Sequence, residues 1–162
     1  MVVNEILATI SLAAAPVGEL RFAIPWSMLK FEFAWYQAFT LALIGNLVPV
    51  FILPWTLSRM GRVILTLPTP IGQLFRWRTA HLRKTASTWF ARYGYWSLLP
   101  FVATPLPFTG AWTGCLVAWA LDVPPKKSIP VIALGLLIAA VIVTTITELG
   151  ISISGFLGYQ PG

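Results

Sequence analysis

The sequence predicts an all-α integral membrane protein of two inverted repeats, each a re-entrant helical hairpin followed by one kinked transmembrane helix. Composition is the first reason: 57% of the 162 residues are hydrophobic and 10% are charged, against about 45–50% and about a quarter in soluble domains. The second is the alternation of long uncharged stretches with short polar ones. The third is the placement of proline and glycine inside two of those stretches, where they break helices.

We expect one membrane domain over residues 1–162, with repeat one at 1–58, a basic amphipathic linker at 59–92 and repeat two at 93–162. The linker holds seven Arg and Lys residues and no Asp or Glu. Residues 71–90 mix these cations with large apolar side chains, which is typical of a helix lying on an anionic membrane surface. The membrane-surface residues of this prediction are Arg76, Arg78, Arg83 and Lys84.

The first hairpin is predicted from two short apolar arms. Residues 6–18 carry no charge but number only 13, and a crossing helix needs about 20. A break at Pro16 and Gly18 precedes a second arm at 20–29. Two half-length arms around a break favour a segment that enters and leaves the membrane on one side.

The first crossing is predicted at residues 33–58, which hold 26 residues without a charge. Pro49 and Pro54 predict kinks, because each proline removes a backbone donor. Asn46 is a polar side chain near mid-membrane, so it needs a partner.

The second hairpin is predicted at residues 93–121, which are uncharged but contain the helix breakers Pro100, Pro105, Pro107, Gly110 and Gly114. Cations flank the stretch on both sides, so a single crossing would conflict with the positive-inside rule. We therefore expect arms at 93–103 and 111–121 with a tip at 104–110. Residues 128–147 form the second crossing, and the tail 149–162 lies in the outer interface.

The repeat is visible in spacing. Pro16 to Gly45 is 29 positions and Pro105 to Gly135 is 30. A hairpin adds no net crossing, so each half crosses once and the second half starts on the opposite side. The repeats are therefore inverted, an architecture typical of secondary transporters. With the linker in the cytoplasm, both termini lie outside the cell membrane.

Glu19 and Arg21 are the candidate site residues, because a charge at a helix centre in hydrocarbon costs about 2.5–3.5 kcal/mol and usually has a function. The predicted ion-coupling residues are Glu19, Arg21 and Asn46. Glu19 is either a proton carrier or half of a structural ion pair with Arg21 that is held to the facing helix through Asn46. Burial favours the neutral acid and Arg21 favours the carboxylate. Arg21 either neutralises Glu19 or binds an anionic group of a substrate.

The hairpin tips supply the remaining candidates for substrate binding. Thr109 and Thr113 offer hydroxyls as ligands, or cap the second arm, and capping is favoured for Thr113. Trp112 stacks on a cation or packs. The full set of tip residues is Pro16, Gly18, Pro25, Pro105, Pro107, Thr109, Gly110, Trp112 and Thr113.

Several classes of function are disfavoured. A single cysteine, Cys115, excludes an internal disulfide, and with one histidine, His81, leaves no metal site. No nucleophile–base pair is present, so we expect no enzyme and no cofactor. The net charge of +6 is concentrated in one loop, which indicates a membrane surface rather than nucleic acid. Residues 1–15 lack a positive leader, so no cleavable signal peptide is expected.

Three motifs occur in order: Gly18-Glu-Leu-Arg-x-Ala-Ile-Pro25, Gly45-Asn-Leu-Val-Pro49 and Pro105-Leu-Pro-x-Thr-Gly-Ala-Trp-Thr-Gly114. Together they resemble the small multidrug export family of membrane proteins, a distant relative of the DedA (VTT-domain) superfamily. The resemblance covers nearly the whole chain. It implies the two-hairpin inverted-repeat fold and an inner-membrane transporter.

Kinship with DedA proteins also implies links to membrane potential, drug tolerance and the movement of polyprenyl-phosphate lipid. DedA proteins usually carry arginines around the second tip, where this chain has Thr104, Phe108 and Thr109. That difference weakens the transfer of phosphate-lipid binding to this chain.

Three functions follow from these observations. The first is proton-coupled secondary export of small amphiphilic or cationic compounds, with Glu19 as the coupling carboxylate. The second is a polyprenyl-phosphate or phospholipid translocase or scramblase, with Arg21 holding the phosphate. The third is a non-transporting membrane subunit or assembly factor that docks through residues 71–90. We expect a homodimer, because a second copy would cover the apolar flanks of the hairpins.

Overall fold

The computed structural model describes residues 3–66, 73, 76–77, 80, 90–105 and 109–156. These residues form helices and connecting turns, with no strand among them. The helices are α1 (Val3–Ala14), α2 (Glu19–Lys30), α3 (Trp35–Thr66), α4 (Leu98–Ala103), α5 (Ala111–Ala120) and α6 (Pro125–Phe156), with a 3-10 turn at Gly94–Ser97. The chain divides into unit one, Met1–Asn46 with Leu137–Gly162, and unit two, Leu47–Leu136.

In unit one, α1 and α2 pack against each other as two short helices around a break. Pro16 lies in the break, since it has no N–H to donate to a helix. The chain turns tightly there: a Cβ on Gly18 would lie 2.6 Å from the carbonyl oxygen of Leu12. The backbone N–H of Glu19 donates to the carbonyl of Ala15 at 3.3 Å. The predicted short arms and their break are confirmed, with slightly different ends.

In unit two, residues 93–121 do not form one helix. A 3-10 turn leads into α4, the chain leaves helical geometry at Thr104, and α5 begins at Ala111. Gly94 has a φ of 59°, a left-handed conformation that glycine adopts without strain. Pro100 is tolerated because it occupies the first turn of α4. The predicted interruption of the helix between residues 103 and 111 is confirmed; the re-entrant hairpin stays a prediction, and Pro107 lies outside the described residues.

The two long helices extend beyond their predicted ends. Each has 32 residues. The predicted crossings end at residues 58 and 147, because charges follow there. The helices continue to Thr66 and Phe156, whereas the apolar spans end at Met60 and Ser154. A charged side chain ends the stretch that hydrocarbon tolerates but does not break the backbone hydrogen bonds of a helix. The helix α3 also continues through Pro49 and Pro54.

The start of α6 was placed too late. Residues 122–127 were predicted as a turn, but the helix begins at Pro125. Proline is well suited to the first helical position, where its missing N–H has no helical partner in any case.

Two parts of these helices are long and apolar enough to cross a membrane. They are Trp35–Met60, with 26 residues, and Pro125–Ser154, with 30 residues. Large apolar side chains on both remain exposed on the isolated chain, among them Phe51, Ile52 and Val141. Such a surface suits a lipid environment.

The turns that lead into the two long helices each contain an acidic residue with a positive φ, and the N–H of the next residue bonds back into the preceding helix. Before α3, Glu32 has a φ of 53°, and the N–H of Phe33 donates to the carbonyl of Ser27 at 3.2 Å. Before α6, Asp122 has a φ of 56°, and the N–H of Val123 donates to the carbonyl of Ala118 at 2.8 Å. Phe33 and Val123 are both buried, so an apolar residue fastens each turn.

Each long helix carries one glycine where it meets the preceding hairpin. In unit one, a Cβ on Gly45 would lie 2.4 Å from the carbonyl oxygen of Ile10. In unit two, a Cβ on Gly135 would lie 3.2 Å from the carbonyl oxygen of Leu99 and 2.9 Å from Cβ of Val102. Any larger side chain would separate these backbones.

Of the 34 residues of the predicted linker, 59–92, 19 lie outside the described residues. Arg78, Arg83 and Lys84 are not described. Arg76 and Trp77 are helical and exposed.

Replacing Gly45 by alanine should destabilise the protein by about 1–3 kcal/mol, because the new methyl group meets a backbone oxygen that no rotamer change can move. Thermal unfolding in detergent micelles measures the effect. Gly150→Ala is the control, since nothing lies within 4 Å of its Cβ position; removing a helical glycine there stabilises by up to about 1 kcal/mol. Unfolding of Gly45→Ala at or above the wild-type temperature would contradict the close approach.

Candidate functional site

The candidate site is built around an ion pair at the start of α2. Nη1 of Arg21 donates to Oε2 of Glu19 at 3.1 Å. The two side chains are 14% and 10% exposed. The structure therefore brings together the two charged residues that the sequence singled out, and largely removes them from solvent.

The pair depends on an unusual backbone conformation. Residues two apart on a regular helix do not face each other, so Glu19 and Arg21 would point in different directions. Glu19 has a φ of 51°, in the left-handed region that costs a residue with a side chain about 1 kcal/mol or more. This conformation at the first residue of α2 lets its carboxylate reach Arg21.

The rest of α2 has one buried side and one open side. Leu20, Ala23 and Ile24 are buried. On the open side the rings of Phe22 and Trp26 stack with centroids 5.6 Å apart. The helix thus holds its charged end in place by burying aliphatic side chains.

Pro25 lies inside α2. It removes the donor that would normally bond the carbonyl of Arg21, four residues earlier. The helix therefore has polar backbone next to the ion pair as well as polar side chains.

Asn46 is fully buried near the middle of the first apolar span, in unit one. Neither Oδ1 nor Nδ2 has a hydrogen-bond partner within the described part of the chain. The expected link from Asn46 to the ion pair is therefore not among the hydrogen bonds of the described residues. Oγ1 of Thr144, which is also buried in unit one, likewise has no hydrogen-bond partner among the described residues.

Thr144 was not among the residues predicted from sequence. A signal was present, because a polar side chain in an apolar crossing helix needs a partner. The helix α6 contains several hydroxyl residues, and the sequence does not distinguish those that bond their own backbone from one that does not.

The second tip is described within unit two. The hydroxyl of Thr109 donates to the carbonyl of Thr104 at 2.9 Å and closes the loop. Gly110 is the N-cap residue of α5, so no side chain at that position caps the helix. Thr113 is buried inside α5, Trp112 is half-buried, and Pro105 is exposed.

Among the residues that the structure describes, no three His, Cys, Asp or Glu residues lie together as metal ligands would. The site chemistry on the page is therefore that of one carboxylate, one guanidinium and neutral hydrogen-bonding groups.

Residues 19–142 match the family described as "Putative small multi-drug export protein". The match covers 124 of the 162 residues. The chain belongs to this family. The match begins at Glu19 and includes Arg21, Asn46 and the second tip. With two apolar helices of spanning length, membership of the small multidrug export family makes the protein membrane-associated. No curated protein matches the chain, and no solved structure matches it.

Removing one partner of the ion pair should cost more than removing both. Arg21→Gln leaves a buried carboxylate without its counter-ion, and we expect a loss of about 2–4 kcal/mol in the free energy of unfolding, somewhat less than for a fully buried pair. The double variant Glu19→Gln with Arg21→Gln should recover part of that loss. Unfolding in mixed micelles is measured for the wild type, both single variants, Arg21→Gln and Glu19→Gln, and the double variant.

Glu32→Gln is the matched control, because Glu32 is also acidic with a positive φ but is exposed. A change within about 0.5 kcal/mol is expected there. Strictly additive effects of the two substitutions at the pair would contradict a coupled ion pair.

Proposed function

We propose that this protein is a proton-coupled secondary exporter of small amphiphilic or cationic compounds, in which Glu19 carries the proton and Arg21 is its exchangeable partner. The observation that supports this proposal is the largely buried ion pair between them at a helix break. Ionisable groups at such positions in membranes usually have a function.

The chemistry of coupling follows from charge neutrality. In a medium of low dielectric constant the Glu19 carboxylate needs a positive partner, which is Arg21, a proton or a cationic substrate. A proton that binds Glu19 releases Arg21, and a cation that binds Glu19 displaces the proton. Competition for one carboxylate exchanges protons for substrate without any further chemical step.

Alternating exposure of the site requires two halves that move relative to each other, and we propose inverted repeats for this role. The support comes from matched features 90 residues apart. The turns at Glu32 and Asp122 share a positive φ, and α3 and α6 share a length of 32 residues. Gly45 and Gly135, also 90 apart, are the close-packed glycines of the two helices.

The hairpin contacts of these glycines correspond as well. Ile10 lies six residues before Pro16, and Leu99 lies six before Pro105. Each presents its carbonyl oxygen to the glycine of the helix that follows. Because each half contains one crossing helix, the two halves would lie in the membrane with opposite orientations.

We further propose a cell-membrane location with residues 59–92 in the cytoplasm and both termini outside, since the linker contains the densest run of cations. The partners in this arrangement are the lipid bilayer, the exported compound and a second copy of the chain. The third candidate function, a docking subunit, depends on residues 71–90, most of which are not described.

Glu19→Gln should abolish coupled proton movement, because glutamine has the shape of glutamate but cannot take up a proton. Proteoliposomes loaded with a pH-sensitive dye and given tetraphenylphosphonium as a lipophilic cation report the coupling. Wild type should move protons against the cation, and Glu32→Gln should behave like wild type. Wild-type coupling in Glu19→Gln would remove this carboxylate from the mechanism.

A further inference from the structure

We infer that Asn46 and Thr144 hold internal water in unit one, within the membrane-spanning part of the protein. The two residues lie on different helices of that unit, α3 and α6. Asn46 is 0% exposed and Thr144 is 7% exposed. Both lie well inside the apolar spans: Asn46 is 14 residues from Met60, and Thr144 is 10 residues from Ser154.

The first argument is the number of polar atoms without partners. Oδ1 and Nδ2 of Asn46 and Oγ1 of Thr144 have no hydrogen-bond partner among the described residues. A buried polar group that lacks a hydrogen bond costs about 1–3 kcal/mol. Proteins normally avoid that cost by binding ordered water at such groups.

The second argument is the contrast between Thr144 and its neighbours. Thr145 and Thr147 donate to the carbonyls of Val141 and Val143, each at 2.8 Å. Thr40 and Thr56 on α3 do the same with residues four positions earlier. A threonine in a helix satisfies its hydroxyl in this way by default. Thr144 does not, so its hydroxyl is available to a group outside its own helix.

The third argument is that packing does not require an asparagine at position 46. Asn46 directly follows Gly45, as Leu136 directly follows Gly135. Both residues are 0% exposed. Leucine fills this position in the second half of the chain, so the amide in the first half has another role.

The chemical class of the ligand follows from the donors and acceptors. An amide and a hydroxyl are both uncharged, and each donates and accepts hydrogen bonds, as water does. A metal cation gives up its hydration shell only for a set of several oxygen ligands, about six or more for calcium or magnesium, and these two side chains supply only Oδ1 and Oγ1. Neutral water therefore fits better than an ion.

Such water has a use that rests on the proposed proton coupling. A proton carried by Glu19 must travel between the site and solution, and hydrocarbon does not conduct protons. Hydrated polar groups inside unit one would supply part of that route. Hydration itself is independent of transport and is measured separately.

Reaction of introduced cysteines with a small water-soluble methanethiosulfonate tests the inference. The thiolate, which forms where water reaches, attacks the reagent's sulfenyl sulfur, forms a disulfide and displaces methanesulfinate. The background is Cys115→Ala, which removes the native buried thiol. Asn46→Cys and Thr144→Cys are compared with Ala42→Cys and Ala140→Cys. These two controls lie in unit one, one helical turn before the test positions, and are 0% exposed.

The two test positions should react at least about tenfold faster than their controls, since each unit by which dry burial raises a thiol pKa lowers its thiolate fraction about tenfold. Equal rates at test and control positions would overturn the inference. Size-exclusion profiles and full labelling in denaturant establish that each variant is folded and reactive. The positions are independent, so Thr144 decides the question if Asn46→Cys does not fold.

Asn46→Leu separates this inference from the proposed function. It should unfold at or above the wild-type temperature, because it removes two unpartnered polar atoms, yet lose coupled proton movement in proteoliposomes. Fast labelling combined with unimpaired coupling in Glu19→Gln would leave the water in place and refute the exporter mechanism. Slow labelling combined with loss of coupling in Glu19→Gln would refute the internal water and leave the exporter mechanism in place.

Discussion

The ion pair between Glu19 and Arg21 determines how the first hairpin is built. Two residues of opposite charge, two positions apart, meet only if the helix is not regular at that point. The break at Pro16 and Gly18 and the left-handed conformation of Glu19 provide that irregularity. Backbone of this kind is tolerated at membrane depth only where protein or trapped water satisfies it. The same break thus creates the charged site and the need for polar groups around it.

The glycines of the long helices determine how the hairpins are held. Gly45 and Gly135 let each long helix touch the backbone of the hairpin that precedes it. Close backbone approach through small residues replaces the hydrophobic driving force that membrane helices lack in lipid. Gly45 in unit one and Gly135 in unit two thus make contacts of the same kind, but the buried residue that follows is polar in one case, Asn46, and apolar in the other, Leu136.

The sequence was sufficient for those features that depend on residues close together in the chain. Proline and glycine located the breaks near Pro16 and Pro105, and the charge pattern located the ion pair. The helix ends at Thr66 and Phe156 were not predictable from charge. A charged side chain marks where the chain leaves the hydrocarbon, but it does not interrupt the backbone hydrogen bonds of the helix. Thr144 was missed because it differs from the other threonines only in not bonding the carbonyl four residues earlier. That choice depends on the side-chain rotamer, which tertiary packing sets. The left-handed conformation of Glu19 could not be predicted, because glycine is the usual sequence sign of a positive φ and glutamate is not.

The depth of the break at Pro16 and Gly18 in a bilayer decides whether the ion pair lies in the hydrocarbon. Val17 lies in the break and is 94% exposed, so a fluorophore on Val17→Cys in the Cys115→Ala background reports its position. Lipids with a quencher near the headgroup or near the chain end measure the depth, and Glu32→Cys provides a reference near the membrane surface. If the ion pair lies in the hydrocarbon, the Val17 label is quenched more strongly from the chain end and the Glu32 label more strongly from the headgroup. Stronger quenching of the Val17 label from the headgroup would place the ion pair outside the hydrocarbon.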